Sequence, residues 1–304
     1  MTELSKEIFE NFQIRKTEKQ KTRFIDFLCS RIDGVQIEQN KLLSNRNLVI
    51  GDIQRARLIV TAHYDTCAVL PFPNFLTPKN IPVYLLYNVL IAAVIWAIAA
   101  LAGRLAFLLT ANVWAVYSAV WITLFAFVFL LTAGPPNQHT ANDNTSGVIT
   151  LCEILQALSG EEREKIAFVL FDNEETGLVG SALFKRKHKN ELRGKLLLNF
   201  DCVSDGDTLL FIFNKKARRN FGAFVKEAFA DGEKEILFSH AASTLYPSDQ
   251  LWFEQNIGVA AFRRNRFLGL YISRIHTWRD TVWQEENIEL LKNGTVRLVK
   301  QLER

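Results

Sequence analysis

The sequence predicts an α/β domain with a mixed sheet covered by helices, interrupted by a hairpin of two transmembrane helices. Two observations predict it: short apolar runs alternate with amphipathic segments, and one long stretch in the middle of the chain is almost free of charge. Strands that alternate with helices favour a sheet packed on both faces. A chain of 304 residues is long enough to bury such a core unaided.

Strands are predicted where short apolar runs occur, at 35–38, 48–50, 58–62, 166–171, 196–200, 208–213 and 258–262. Helices are predicted where apolar residues recur at helical spacing, at 3–30, 146–158, 217–230 and 286–303. The same alternation continues on both sides of the central stretch. We therefore expect residues 1–79 and 137–304 to be the first and second parts of one domain.

The central stretch, residues 80–136, is predicted to be a transmembrane hairpin. From residue 80 to residue 138 the only charged residue is Arg104, and one bilayer crossing needs about 20 apolar residues. The first helix is expected to begin near Pro82 and the second to end before Pro135, with the turn at Gly103–Arg104 or at Thr110–Asn112. The alternative interpretation is a helical hairpin buried in a soluble core.

Two crossings return the chain to the side from which it started. The first residues contain no apolar segment of signal-peptide length, so we expect the domain to lie on the cytoplasmic side of the bilayer. The net charge is +4 and no run of five like charges occurs, which argues against a nucleic-acid partner. The four cysteines are scattered without CxxC spacing, which favours reduced thiols over a disulfide framework.

Histidine and acidic side chains recur where the predicted strands end, which is where α/β sheets place their sites. The candidates are His63, Asp65, Asp143, Glu174, Glu175, Asp201 and His276. Each alone has an ordinary structural explanation, such as an acidic turn or a helix cap. Together they supply two imidazoles and three carboxylates as ligands, a spare carboxylate as base, and, two residues after His63, a carboxylate that can orient the histidine ring. Two metal ions that share one carboxylate need about this set of ligands.

In chain order, the segments HYD, ANDNTSG, NEETGLVGS, NFD and IHTWRDT resemble the motifs of a known family. It is the family of two-zinc aminopeptidases related to bacterial leucyl aminopeptidase and glutamate carboxypeptidase. The motifs extend over residues 58–281, essentially the whole predicted domain outside the hairpin. The resemblance implies a phosphorylase/hydrolase-like three-layer sandwich with a mixed central sheet, and a peptide substrate that loses its N-terminal residue.

The resemblance also implies roles for the matching positions. One zinc ion would bind His63 and Asp201, and a second would bind Glu175 and His276. Asp143 would bridge the two ions. The cofactor expected on this basis is a pair of Zn²⁺ ions.

Glu174 would be the general base that takes a proton from the attacking water and passes it to the leaving amine, and Asp65 would orient the first histidine.

This chain departs from the family in two ways. The hairpin occupies a position where relatives have a short loop, and the family's Ser-Asp-His segment reads Ser248-Asp249-Gln250. Tyr246 and Gln250 are therefore candidates for the substrate pocket.

Two alternatives remain open. The first is an enzyme of the same fold with another reaction, such as glutaminyl cyclisation, which relatives perform with one zinc ion. The second is a non-catalytic membrane receptor or interaction protein that has lost ligands. The presence of both His63 and Asp201 favours two ions, and the complete set of ligand types argues against loss.

Overall fold

The computed structural model describes residues 1–40, 44–230 and 234–302, and a mixed sheet of nine strands runs through the domain. The strands are β1 (Gln36–Asn40), β2 (Asn45–Ile50), β3 (Leu58–His63), β4 (Ile166–Phe171), β5 (Leu196–Phe200), β6 (Thr208–Phe213), β7 (Glu235–His240), β8 (Asn256–Asn265) and β9 (Gly269–Tyr271). Their order is β1-β2-β4-β3-β5-β8-β6-β7, and β9 pairs with β8. Strands from both sides of the central stretch therefore build one sheet.

The helices cover both faces of this sheet. They are α1 (Glu3–Asn11), α2 (Glu18–Arg31), α3 (Ile81–Thr110), α4 (Val113–Ala133), α5 (Gly147–Ala157), α6 (Gly160–Arg163), α7 (Val179–Lys187), α8 (Lys215–Ala228) and α9 (Glu285–Gln301). Side chains of α1, α2, α5, α8 and α9 pack with Leu58, Val60 and Ala62 of β3 in one core. Ile59, the residue that points the other way, packs with Phe184 of α7. The predicted α/β fold with a mixed central sheet is confirmed.

The prediction of one continuous helix at 3–30 is wrong, because the structure has two helices there, α1 and α2. Thr17 ends the connection between them: its side chain accepts a hydrogen bond from Gln20, whose own side chain reaches back to the Thr17 backbone. This capping box satisfies backbone groups that a continuous helix would use otherwise. Two strands, β7 and β9, are missing from the prediction. Both lie at margins of the sheet, where partial exposure weakens the apolar pattern.

Helices α3 and α4, of 30 and 21 residues, are both long and apolar enough to cross a membrane. Their turn lies at residues 111–112, which excludes the alternative tip at Gly103–Arg104. Gly103 instead faces α4, where an added Cβ would come within 2.9 Å of Val120 and 3.2 Å of Val116. Only Ala99 and Gly103 are buried in α3, and no residue is buried in α4. This exposure is the opposite of what a buried soluble hairpin requires.

Candidate metal centre

Three neighbouring strands bring several predicted site residues to one edge of the sheet. Strands β4, β3 and β5 lie side by side and run parallel, so their carboxyl ends meet. His63 is the last residue of β3, and Asp201 directly follows β5. Glu174 and Glu175 lie in the turn after β4. These side chains converge because the strands that precede them are neighbours.

Two loops supply the other candidate ligands. Asp143 lies in an irregular turn, Ala141–Ser146, directly before α5, and the peptide bond that follows it is cis. His276 lies between β9 and α9 and has a left-handed backbone, with a φ of 62°. Asn173 and Cys202, each next to a predicted site residue in the chain, are left-handed as well. Such non-glycine residues are uncommon and concentrate at functional sites.

Asp143 lies between the two histidines. Its Oδ1 is 3.3 Å from Nε2 of His63, and its Oδ2 is 2.9 Å from Nε2 of His276. The same nitrogen of His63 is 3.5 Å from Oδ1 of Asp201. The same nitrogen of His276 is 3.3 Å from Oε2 of Glu175. Each histidine therefore forms a group with one oxygen of Asp143 and one further carboxylate.

The dimensions and chemistry of both groups fit a zinc ion. Two ligands that each lie about 2.1 Å from a tetrahedral ion are about 3.4 Å apart, and zinc accepts both imidazole nitrogen and carboxylate oxygen. The four distances above are close to that value. Oδ1 of Asp201 and Oε1 of Glu175 are buried, and neither has a hydrogen-bond partner in the described part of the chain. Because buried polar atoms normally have partners, these two oxygens fit the role of ligands.

The buried charges also favour a cation. Burial raises the pKa of Glu175 to about 8 and raises the pKa of Glu174 well above its ordinary value. Burial alone would lower the pKa of His276, but the charges of Glu175 and Asp143 outweigh it and raise the pKa to about 9. In the metal-free protein, bound protons thus compensate negative charge that a divalent cation would otherwise neutralise.

A buried arginine supplies a fixed positive charge beside the site. Arg15, in the connection between α1 and α2, donates hydrogen bonds to the carbonyl oxygen of Tyr64 and to Oγ1 of Thr145. Burial lowers its pKa to about 10, and Asp65 and Asp143 oppose the shift. Since this pKa stays well above neutral, Arg15 keeps its charge and stabilises the ionised form of both carboxylates.

Asp65 connects His63 to the turn that carries the two glutamates. Nδ1 of His63 is 3.1 Å from the carbonyl oxygen of Asp65 and 3.6 Å from its Oδ1. The Asp65 carboxylate accepts hydrogen bonds from the backbone N–H groups of Glu174 at 3.0 Å and Glu175 at 3.2 Å. The closest contact with His63 therefore comes from the carbonyl group, and the carboxylate positions both glutamates.

Asp280 is a site residue that the sequence analysis does not single out. Its carboxylate accepts hydrogen bonds from the backbone N–H groups of Asn142 at 2.8 Å and Asp143 at 3.0 Å. Burial raises the pKa of Asp280 to about 7, and the charge of Asp143 adds to this effect. Its one sequence signal is its place four residues after His276, in the segment RIHTWRDT. Its contacts hold the turn that carries Asp143.

Of the two predicted pocket residues, Tyr246 lines the cavity and Gln250 is buried outside its lining. The Tyr246 hydroxyl donates a hydrogen bond to the carbonyl oxygen of Asp201 at 2.9 Å, and its side chain lines the cavity described below. Gln250 is buried, donates to the carbonyl oxygen of Tyr246 and accepts from Asn199, so both ends of its amide are engaged. Asp249, absent from the predictions, is fully buried, and burial raises its pKa to about 7.

A cavity of about 330 Å³ opens onto the two histidine groups. Its lining combines the candidate ligands with apolar side chains from four segments: Leu76, Tyr84, Leu178 and Ile275. A larger cleft of about 680 Å³ lies beside β1 and β2, and none of the predicted site residues lines it. The smaller cavity is therefore the candidate substrate site.

Residues 126–298 match the family profile of peptidase family M28. The matched residues are more than half of the chain. The chain belongs to peptidase family M28. Membership confirms the resemblance predicted from the motifs and makes the protein a metallopeptidase. His63 and Asp65 precede the matched residues, and the geometry above places them beside candidate ligands that lie within the match. A comparison with curated protein sequences finds no match.

Several solved structures have the same fold. The match to LapA aminopeptidase of Legionella pneumophila has 13% identity and a TM-score of 0.58. It covers 98% of this chain and 70% of the LapA chain. The match to glutaminyl cyclase of Porphyromonas gingivalis has 14% identity and a TM-score of 0.59. It covers 98% of this chain and 96% of the cyclase chain. The match to PhTET1-12s, a dodecamer, has 12% identity and a TM-score of 0.52. It covers 98% of this chain and 99% of the PhTET1-12s chain. At these identities the likeness shows the M28 fold and not the reaction.

We predict that Asp280→Asn weakens zinc binding about 10- to 100-fold, the usual effect of removing a group that positions a ligand. Asparagine offers only one acceptor, so one of the two backbone N–H groups at Asn142 and Asp143 loses its partner. The matched control is Asp26→Asn, which makes the same change on the exposed face of α2. Zinc affinity is measured by competition with a chelating dye. Equal affinities for both variants would contradict the positioning role of Asp280.

Proposed function

We propose that the protein is a two-zinc aminopeptidase. The observation that carries the proposal is the placement of Asp143, whose two oxygens face different histidines. His63, Asp201 and one of these oxygens would hold the first ion. His276, Glu175 and the other oxygen would hold the second. When bound, such ions polarise a substrate carbonyl group and lower the pKa of water.

Glu174 is the proposed general base. Its side chain lines the same cavity as the candidate ligands, and the Asp65 carboxylate holds its backbone in place. Burial raises the pKa of Glu174, so its carboxylate is a stronger proton acceptor than an exposed one. It takes the proton of the attacking water and then gives it to the amine that leaves.

The size of the cavity supports removal of a terminal residue. A volume of about 330 Å³ is near the lower end of the range for ligand sites. It suits one amino-acid residue and its scissile bond better than an extended chain bound on both sides. The proposed substrates are therefore peptides with a free N-terminus.

Glutaminyl cyclisation is the second candidate reaction, because the cyclase of similar fold covers nearly the whole of this chain. Cyclisation needs one ion, and a single ion leaves one of the two histidine groups without a role. The pairing of His63 with Asp201, opposite His276 with Glu175, favours the two-ion reaction.

The zinc-loaded protein in detergent is expected to trim a mixed peptide library stepwise from the N-terminus. Glu174→Gln should lower the rate about 10²- to 10⁴-fold, the contribution typical of a general base. Glu164→Gln is the matched control, since its side chain is exposed and does not line the cavity. Products are read by mass spectrometry.

Other outcomes of this experiment identify the alternatives. Cyclised N-terminal glutamine without trimming would replace the aminopeptidase by a cyclase. Bound metal without any product would favour a non-catalytic receptor or interaction protein.

The hairpin is the proposed membrane anchor, with the catalytic domain on the cytoplasmic side. Helix α4 has 21 residues, which gives a length of about 31 Å, close to the ~30 Å thickness of the hydrocarbon core. Two basic side chains lie near the ends of the helices that meet the domain. Lys16 donates a hydrogen bond to the carbonyl oxygen of Thr132 at the end of α4, and Lys79 is exposed directly before α3. Such charges favour the anionic cytoplasmic leaflet.

Native Cys29 provides a test of this topology, because it is the exposed cysteine of the chain and lies in α2, whereas Cys67, Cys152 and Cys202 are buried. In intact cells, a membrane-impermeant maleimide should leave Cys29 unlabelled until the membrane is permeabilised. In a Cys29→Ser background, Thr110→Cys at the hairpin tip should be labelled in intact cells. The reverse pattern would place the domain outside the cytoplasm, and labelling of both positions in intact cells would contradict a spanning hairpin.

A further inference from the structure

The segment between β3 and α3 leads from His63 to the hairpin along the rim of the cavity. Leu76 lines the cavity and exchanges two backbone hydrogen bonds with Ile272, at 3.1 and 2.9 Å. Pro78 accepts a hydrogen bond from the backbone N–H of Leu245 at 2.8 Å. The segment is thus bound to the domain at two points directly before the helix begins, which fixes where α3 starts.

The first turn of α3 continues this wall. Tyr84 is half-buried against the apolar cluster that contains Leu76, Tyr246 and Ile275, and it lines the same cavity as the candidate ligands. One turn further, the Tyr87 hydroxyl donates a hydrogen bond to the carbonyl oxygen of Pro73 at 2.7 Å. Its ring centroid is 5.1 Å from that of Phe75. This end of α3 therefore belongs to the catalytic domain, unlike the exposed remainder of the hairpin.

The register of the two helices gives the level of Tyr84 relative to the bilayer. Gly103 of α3 lies opposite Val120 of α4, so the end of α4 at Ala133 lies opposite residue 90 of α3. Tyr84 is six residues before that position, about 9 Å along the axis at 1.5 Å per residue. The headgroup layer is about 5–8 Å thick on each side of the hydrocarbon. With the end of α4 at the edge of the hydrocarbon, as its length of 21 residues favours, Tyr84 would lie at or just beyond the headgroups.

The turn between β8 and β9 lies beside the start of α3. Asn80, the cap of α3, donates a hydrogen bond to the carbonyl oxygen of Leu268 in this turn at 3.4 Å. The neighbouring Phe267 is 80% exposed, and the guanidinium of Arg266 lies 5.5 Å from its ring centroid. An exposed aromatic ring beside a basic side chain is typical of residues that lie in the headgroup layer.

We propose that Tyr84 is a wall of the substrate pocket that sets which N-terminal residue is accepted, and that the substrates are polypeptides held at the bilayer surface by an anchor of their own. This inference rests on the proposed aminopeptidase function and names its substrate class. An N-terminus that extends a short distance from the membrane reaches the cavity directly, since the cavity wall and the headgroups lie at the same level.

Substitutions at Tyr84 test the wall, using the full chain in phosphatidylcholine nanodiscs and peptides that differ only in the N-terminal residue. Tyr84→Ala should raise KM for N-terminal leucine about tenfold through lost apolar contact. Its rates with N-terminal tryptophan should fall less, because the enlarged pocket admits a larger ring. Tyr84→Phe should behave as the parent protein. Tyr117→Ala is the matched control, since Tyr117 is 57% exposed on α4 and lines no part of the cavity.

An unchanged order of preference in Tyr84→Ala, with zinc content equal to that of the parent, would overturn the role of Tyr84. If Tyr84→Ala does not fold, Tyr84→Trp serves instead. It narrows the pocket and should reduce turnover of N-terminal phenylalanine and tryptophan more than that of alanine. A uniform change for all peptides would again overturn the proposal.

Anchored peptides test the substrate class. One peptide is compared with and without a C-terminal palmitoyl group, in phosphatidylcholine vesicles that contain the protein, with spacers of about 5 and about 30 residues. The anchored peptide with the short spacer should be trimmed at least tenfold faster than the other forms, because its N-terminus stays at the level of the cavity.

The outcomes separate this inference from the proposed function. Equal trimming of anchored and free peptides at both spacer lengths would overturn the substrate class and leave the aminopeptidase standing. If anchored peptides are trimmed faster than free peptides by the same factor with both spacers, the anchor acts only by raising the local concentration of peptide. That result would overturn the placement of the cavity at the headgroups. Failure to trim any peptide would overturn the aminopeptidase itself.

Discussion

The position of Asp143 between two histidines is the constraint on which the rest of the site depends. A carboxylate presents its two oxygens to two metal groups only if its backbone and side chain are held in one orientation. Asp280 holds the backbone of Asp143, and Asn144 bonds to the backbone on both sides of Asp201. The turn before α5 is thereby fixed to the end of β5. The two proposed metal groups therefore depend on one rigid junction between a loop and the sheet.

The same junction concentrates carboxylate groups in a largely buried part of the domain. Buried carboxylates that are close together cannot all be ionised without a compensating charge. Arg15 supplies one such charge permanently, and protonation of residues such as Glu175 supplies more in the metal-free protein. Two divalent ions would take over this compensation. A site of this kind is expected to lower the stability of the metal-free protein and to regain that stability when metal binds.

The strand pattern alone predicts the site residues that follow buried strands, whereas Asp143 and His276 lie in loops and were assigned their roles from the motifs. His63 and Asp201 come directly after apolar runs, and neighbouring strand ends must meet at one edge of the sheet. Asp280 could not be found in this way, because its role depends on backbone groups far away in the chain. Tyr84 could not be found either, since hydropathy assigns it to the membrane helix and says nothing of the cavity beside it. The break between α1 and α2 was hidden because apolar spacing continues across it, although the cap at Thr17 is a local signal.

Zinc stoichiometry of the purified chain, measured by native mass spectrometry at saturating zinc, tests the central claim most directly. The account predicts two ions in the parent protein. Asp201→Asn and Glu175→Gln should each retain one ion, because they affect different groups, and Asp143→Asn should weaken binding of both. A parent protein that binds a single ion, or equal loss of that ion in the Asp201 and Glu175 variants, would contradict a centre built around a shared carboxylate.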